Sequence, residues 1–509
     1  MGWARTVLAL VAVVAAGALL VSGGSGADPE TPEGLPGMPP PFLGVAVLGD
    51  GGLTAAVDAY GDVVDLRAPG PAGRALIDNP AGRQSAGTVA ADTGFQPWVL
   101  VGDEELPLWR ADQVRQSYLP RTSVLRTEAR FGADWIRILA AVEGQSLAIV
   151  STGPNASRVR LRMHGDGNVV STLFLVVARR KVETMQARAS DSVALIARAG
   201  AADRRWLARA RPLGAGAPTW ARRMYERSLL VLRALTARHT GAVAAGARDG
   251  WAYVWPRDAS AVAIAYAAAG YRAEAVRTTR FLLGLGLEGA ARFHGDGSPV
   301  PGRAAQGDAI GWVAAASQAS GLIDSARHAA RILAGGGPVP WRERGDYWEG
   351  ERGDYLGNAL ASGEPAIERL YGARSQARLV RRAGDPESGL DAAAAWGVRP
   401  FPHPALYPEI RHSMKRLMAG ETSFGITPGE GWAGGDDPWS APTAWTAWSL
   451  AALGERRDAL RVMQALRRSA TPAGDLPERV DTQTGIPRST TPLAWSHAFA
   501  ILALQQLWP

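Results

Sequence analysis

Cysteine is absent from the 509 residues. That excludes disulfides, thiolate metal sites and lipid attachment through cysteine, and it does no harm in an oxidising compartment. Lysine is almost missing: Lys181 and Lys415 stand alone, so the formal net charge of +7 rests on arginine. The arginines are scattered among Ala, Gly and Pro rather than gathered into a stripe, and no nucleic-acid module is visible, so nucleic acid is not an expected partner. No apolar run reaches the about 20 residues that a spanning helix needs. The seven histidines show no ligand spacing and no aspartate-rich metal motif is present, so neither metal nor cofactor is expected. Helical patterns fill the second half without alternating strands, which argues against a doubly wound sheet.

What is present divides the chain. Its length exceeds the size at which one core stops growing, and 18 tryptophans supply ample apolar bulk for two. Arg5 precedes the apolar run VLALVAVVAAGALLV at residues 7–21, and SGGSGADPE follows. A basic start, a short apolar stretch and a small-residue exit predict an export signal over 1–27, cleaved or kept as an N-terminal membrane anchor, and so a place outside the cell or in its envelope. Residues 28–41 are rich in Pro and Gly and suit a tether. From Phe42 to about residue 210, short alternating runs closed by Gly, Asp and Asn predict antiparallel strands, enough for a β-sandwich. Between Ala201 and Pro218 the texture dissolves into Ala, Arg, Gly and Pro. Residues 215–509 then show repeated helical periodicity, which suits a ring of helix pairs whose loops carry the chemistry.

Three stretches draw attention. DGWAYVWPRD, residues 249–258, sets Trp251, Tyr253 and Trp255 beside Arg257 and Asp258 at a helix start. Rings that accept apolar C–H faces, next to fixed donors and acceptors, suit a sugar; the same residues also suit a core with a structural ion pair. GDYWEGERGDY places Glu349 after Tyr347 and Trp348, where stacked rings would strip water from the carboxyl and favour its protonated form; Glu351 competes for that role. GDLPERVDTQTG places Glu478 in a polar loop, where a carboxylate can act as a base. Cleaving a glycosidic bond requires such a pair, one carboxyl as acid and one as base or nucleophile.

Taken together, YVWPRD at 253–258 and the tail LPERVDTQTGIPRSTTPLAWSHA resemble glycoside hydrolase family 15, the glucoamylases, glucodextranases and related bacterial enzymes. The resemblance runs from Phe42 to the C-terminus. It implies a β-sandwich followed by an (α/α)6 barrel, and an inverting exo-glycosidase that releases glucose from an oligo- or polysaccharide. It implies Glu349 as general acid, Glu478 as general base, Arg257 and Asp258 as the grip on sugar hydroxyls, and Trp348 as a stacking wall. Trp495 would lie at the base of the pocket, with Trp255 and Tyr253 beside it. Gln306 and Asp308 in RAAQGDAIGW resemble the family's motif on an inner helix near the substrate, and Pro438 and Trp439 in GGDDPWSAPTAW resemble its loop ahead of another inner helix. Glu430 falls on a position that is acidic in the family, as a ligand or a tuning carboxylate. Two departures stand out: Thr427 and Pro428 replace an Arg-Tyr pair, and Trp251 stands where many members have tyrosine. The first keeps open an alternative, a carbohydrate-binding or envelope protein without turnover.

Overall fold

The computed structural model describes residues 45–78, 95–163, 169–170, 172–178, 181–185, 189–247, 250–303, 305–325, 356–363, 390–430 and 435–509. The apolar run at 7–21, the tether, and the segment bearing Trp348, Glu349 and Glu351 lie outside the described residues. No helix among the described residues is long and apolar enough to cross a membrane.

The N-terminal region is antiparallel β-structure. An eight-stranded sheet runs through Ala46–Gly49, Thr54–Val57, Val63–Ala68, Phe95–Val101, Val159–Met163 and Val169–Val170, with Arg74–Asp78 and Glu104–Pro107 paired at its sides. A six-stranded sheet takes the order Lys181–Met185, Thr172–Ala178, Ser146–Thr152, Asp134–Glu143, Leu125–Phe131, Gln113–Tyr118. The expected Gly61–Asp62 turn joins Thr54–Val57 to Val63–Ala68: Gly61 adopts φ 89°, and Asp58 Oδ1 accepts from the Tyr60 and Asp62 amides. Leu125–Phe131 alternates inward and outward side chains, as a half-buried strand should. Leu125, Ala129 and Phe131 meet Leu48, Val57 and Leu66 of the other sheet in one core. Thr54–Val57 is buried on both faces, because Ala56, with Val45, Val47 and Val64, packs into the core of the helical region.

A helix, Ala189–Leu207, occupies the end of the span expected to be β-sandwich and runs into the expected boundary at 201–218. Ala and Arg are good helix formers, and Leu195, Ile196 and Ala199 give the helix an apolar face against Val124, Ala141, Ala148 and Val150 of the six-stranded sheet.

Two kinds of helix follow. Thr219–Ala234, Arg272–Leu283, Tyr407–Ala419 and Arg456–Ser469 bury one stripe each. Pro256–Ala268, Ser440–Ala452 and Ala494–Leu507 are buried almost all round, as is most of Ala309–Ala319. These four, with Leu356–Ser362 and the 3₁₀ turn Ala392–Gly397, contact one another in a closed ring. Edge-to-face tryptophans fill its centre: Trp312 meets Trp396 at 5.0 Å, Trp396 meets Trp445 at 5.2 Å, and Trp445 meets Trp495 at 5.3 Å between centroids. Tyr407–Ala419 was not among the expected helices, although Pro408 in its first turn and the spacing of Ile410, Met414, Leu417 and Met418 announce it.

Ring closure depends on small residues. A Cβ at Gly311 would overlap the Ala361 carbonyl oxygen of the neighbouring inner helix. Gly311→Ala gains about 1 kcal/mol of helix propensity, but overpacking against fixed backbone costs about 1–3 kcal/mol or more. A lowered urea midpoint is therefore expected, and a raised one would mean that these two helices can separate freely.

Candidate active site

Three of the inner helices begin at one place. Trp255, Trp439 and Leu493 each immediately precede such a helix, all with extended backbone: φ/ψ of −94°/127°, −108°/135° and −110°/123°. None provides a side-chain cap, so the positive ends of three helices converge without local acceptors of their own making. Between them lies a cavity of about 420 Å³ lined by Ala245, Gly250, Trp251, Trp255, Arg257, Asp258, Arg292, Arg303, Trp439, Glu478, Leu493 and Trp495.

The entering segments are held by short backbone ladders. The Ala245 amide donates to the Tyr253 carbonyl and Gly246 to Trp251, which folds Trp251 over the cavity. Val254 and Phe293 exchange both backbone hydrogen bonds, so Trp255 enters in a fixed direction and Pro256 starts the helix. Arg257 and Asp258 occupy its first turn at 4% and 6% exposure, so both are almost fully desolvated. The Arg257 guanidinium lies 4.7 Å from the Trp495 ring centroid, 3.7 Å from Asp258 Oδ2, and donates to Asp308 Oδ2 at 3.2 Å. One cation is thus clasped by two carboxylates and an aromatic face, the kind of arrangement that makes a buried charge tolerable.

Glu478 lines the same cavity from a loop far along the chain. Its loop is a hairpin: Glu478 donates to the Thr490 carbonyl, Arg488 donates to Arg479, and Asp481 donates to Ile486. The outer edge of this hairpin pairs with the chain before Ser440, where Val480 donates to Pro438 and Ser440 donates to Glu478. Trp251 Nε1 lies 3.4 Å from Glu478 Oε1, and the Ser489 hydroxyl donates to Oε2. Both carboxylate oxygens therefore have donors, which set the orientation of the group at the cavity edge.

Of the sequence-derived candidates, Trp255, Arg257, Asp258, Trp495 and Glu478 meet on this cavity. Tyr253 stands outside the wall, against Trp255 and His294, with the Arg292 guanidinium 5.1 Å from its ring. Asp308 is fully buried behind Arg257. Glu430 turns its carboxylate to the Leu390 amide at 3.2 Å and its own amide to the Leu390 carbonyl, and it does not line the cavity. Ile426, just before Thr427 and Pro428, pairs with Trp439, so those two residues lie next to the support of a wall residue. Trp348 and Glu349 fall outside the described residues.

Sequence reading missed Arg292, Arg303 and Ser489. The two arginines flank the turn-rich stretch ARFHGDGSPVPGR, where spacing alone does not reveal that its ends reach the cavity. Burial, and then the charge of Arg303, lower the affinity of the Arg292 guanidinium for its proton. Among the described wall residues, the cations of Arg257, Arg292 and Arg303 face the carboxylates of Asp258 and Glu478, with Asp308 behind. Three of each sign suit an uncharged, hydroxyl-rich occupant better than an ion.

His497, in the tail motif, belongs to the core beneath. It accepts from the Leu476 amide at Nε2 and meets Ser228 Oγ at Nδ1, each at 2.9 Å. Burial, helped by the charge of Arg227, lowers its pKa to about 3. A folded pKa below the unfolded value of about 6.5 means that the unfolded chain binds the extra proton between these limits. Its contribution is complete above the unfolded pKa and is lost as pH falls toward 3. Asp475 acts in the opposite sense: burial raises it to about 6, so its contribution is present at low pH and is lost as pH rises from its unfolded value through about 6. The His497 shift is the larger, and His497→Gln is expected to flatten the acid limb of a plot of unfolding midpoint against pH. An unaltered limb would assign acid sensitivity to other groups.

No family model and no curated protein matches the sequence. Among solved structures, the fold is similar to that of a bacterial glucoamylase complexed with acarbose, with a TM-score of 0.63 at 14% identity over 92% of this chain and 93% of that one. A wild-type glycosidase matches at a TM-score of 0.47 and 21% identity over 57% of this chain and 99% of its own. The glucoamylase from Saccharomycopsis fibuligera matches at 0.46 and 13% over 57% and 95%. The first likeness is one of architecture, a β region followed by a helical one.

Proposed function

We propose that the protein is an exported glycoside hydrolase that releases glucose from the ends of α-glucosides with inversion, its helical region forming the (α/α)6 barrel and residues 42–210 the β-sandwich. The observation that carries this reading is the cavity in which Glu478, held by Trp251 and Ser489, shares a wall with the clasped Arg257–Asp258 pair and Trp495. Trp495 and Trp255 offer faces for the C–H side of a pyranose, and Arg257 and Asp258 offer a donor and an acceptor for its hydroxyls. Glu478 takes a proton from the water that attacks the anomeric carbon. Glu349, assigned from its sequence setting, protonates the leaving oxygen from the other side. An inverting pair stands about 6.5–9.5 Å apart, leaving room for that water. The apolar run at 7–21 would direct export and serve as a signal or an anchor.

The test is to incubate the protein with maltose, isomaltose and trehalose and follow the anomer of released glucose by NMR. The glucose unit freed from the non-reducing end emerging as β supports inversion, and from trehalose inversion gives one β- and one α-glucose. The same unit emerging as α, with two α-glucoses from trehalose, would replace it with a retaining mechanism, and tight binding without release would favour a carbohydrate-binding protein.

A further inference from the structure

Among the described contacts of the β region with the helical region, one is made by Tyr118 to the segment that carries Glu478. Tyr118 ends the strand Gln113–Tyr118, and its hydroxyl accepts from the Val47 amide at 2.9 Å. The same oxygen lies 3.0 Å from the Val47 carbonyl and 3.1 Å from Asp475 Oδ2. Burial, and then the charge of Asp475, hold the phenol well above its ordinary pKa, so it keeps its proton and remains a donor. Arg227 closes the group from the helix Thr219–Ala234. Its guanidinium carbon sits 3.7 Å from the Tyr118 ring centroid, its Nε is 3.9 Å from Asp475 Oδ1, and its Nη1 donates to the Thr122 carbonyl at 3.2 Å. The Asp475 side chain is fully buried in this group.

Asp475 lies three residues before Glu478, and every step between them is tied. The Asp475 amide donates to Thr471 Oγ1, and its carbonyl accepts from the Thr471 amide. The Leu476 amide donates to His497, which also meets Ser228, the neighbour of Arg227. The Pro477 carbonyl accepts from the Ser440 hydroxyl. The Glu478 amide is used in the hairpin, and its carbonyl accepts from the Ser440 amide. Three extended residues span at most about 10 Å, so a displacement of Asp475 passes to Glu478 with little chain to absorb it.

The geometry points to Tyr118 as a positioning residue for Glu478: through Asp475, the β region fixes the start of the segment that aims this carboxylate into the cavity. The inference rests on the hydrolase reading for the role of Glu478, and on the contacts alone for its placement. Removing the Tyr118 hydroxyl leaves a buried carboxylate with a single cation at long range, and groups so placed move or change protonation.

The test uses the full chain with Tyr118→Phe, Asp475→Asn, and Ile138→Val as a control within the β core away from this contact. Amide hydrogen exchange across 476–480 and kcat and KM on maltose are measured for each. Tyr118→Phe is expected to speed exchange in that segment about tenfold or more, and to lower kcat about tenfold to hundredfold, as small misplacements of a reacting group do, while KM stays close to wild type. Asp475→Asn, which keeps an acceptor for the hydroxyl, is expected to retain more of the protection than Tyr118→Phe. Ile138→Val should change neither reading. Unchanged exchange in both junction variants, or a rise in KM with kcat intact, overturns the inference. A wild-type chain that cleaves no sugar overturns the hydrolase reading instead, and the exchange data still decide whether Tyr118 fixes the segment.

Discussion

Glu478→Gln is expected to lower kcat by about 10²–10⁴-fold, the usual contribution of a positioned general base, while sugar affinity changes little. Glutamine has the shape of glutamate, its oxygen can still accept from Trp251 Nε1, and the Ser489 hydroxyl can rotate to accept from the new amide. The substitution therefore removes the basic oxygen and leaves the wall in place. Initial rates on the cleaved disaccharide, paired with calorimetric titration of glucose, separate the two effects. A kcat that survives would remove Glu478 from the base role, whereas a collapse of affinity with kcat intact would make it a binding residue.

Asp308→Ala is expected to destabilise the fold by about 3 kcal/mol or more, within the range for breaking one side of a buried ion pair. Arg257 Nη1 loses its contact with Asp308 at 3.2 Å, and Asp258 stands farther off, at 3.7 Å. The arginine side chain is 5% exposed, so water is a poor substitute. Freed from Asp308, the guanidinium would also swing from its place over Trp495 and weaken sugar binding. Asp308→Asn retains an acceptor and should lose less. Urea unfolding measures both variants, with Arg411→Ala as the contrast: its pair with Glu455 at 2.8 Å is about one-third exposed and reached by water, and is worth about 1 kcal/mol or less. Equal losses for Asp308→Ala and Arg411→Ala would show that the buried clasp contributes nothing special.

Much of the architecture was legible because the signals that set it are local. Alternation over Leu125–Phe131 and Asp134–Glu143 and the Gly61–Asp62 turn predict strands whose register the structure displays. Helical spacing in ERRDALRVMQALRRSA and LAWSHAFAILALQQL predicts the helices at Arg456–Ser469 and Ala494–Leu507. The helix Ala189–Leu207 escaped notice because Ala and Arg carry little contrast until the sheet beneath defines a buried face.

The site was legible in part, and the division follows chain distance. WPRD at a helix start places Arg257 and Asp258 together whatever the rest of the chain does, since adjacent residues in a first turn have nowhere else to go. That Trp251 reaches Glu478 across 227 residues, that Asp308 backs Arg257 across 51, and that Tyr118 meets Asp475 across 357 are consequences of packing. Tyr253 and Glu430 share the residue types of the wall yet stand off it, while Arg292 and Arg303 reach it from a turn-rich stretch with no distinguishing pattern. Periodicity, turn chemistry and helix starts act over a few residues, and the sequence determined those by itself. Which side chains share a cavity depends on how the inner helices close into a ring, and only the tertiary structure decided that.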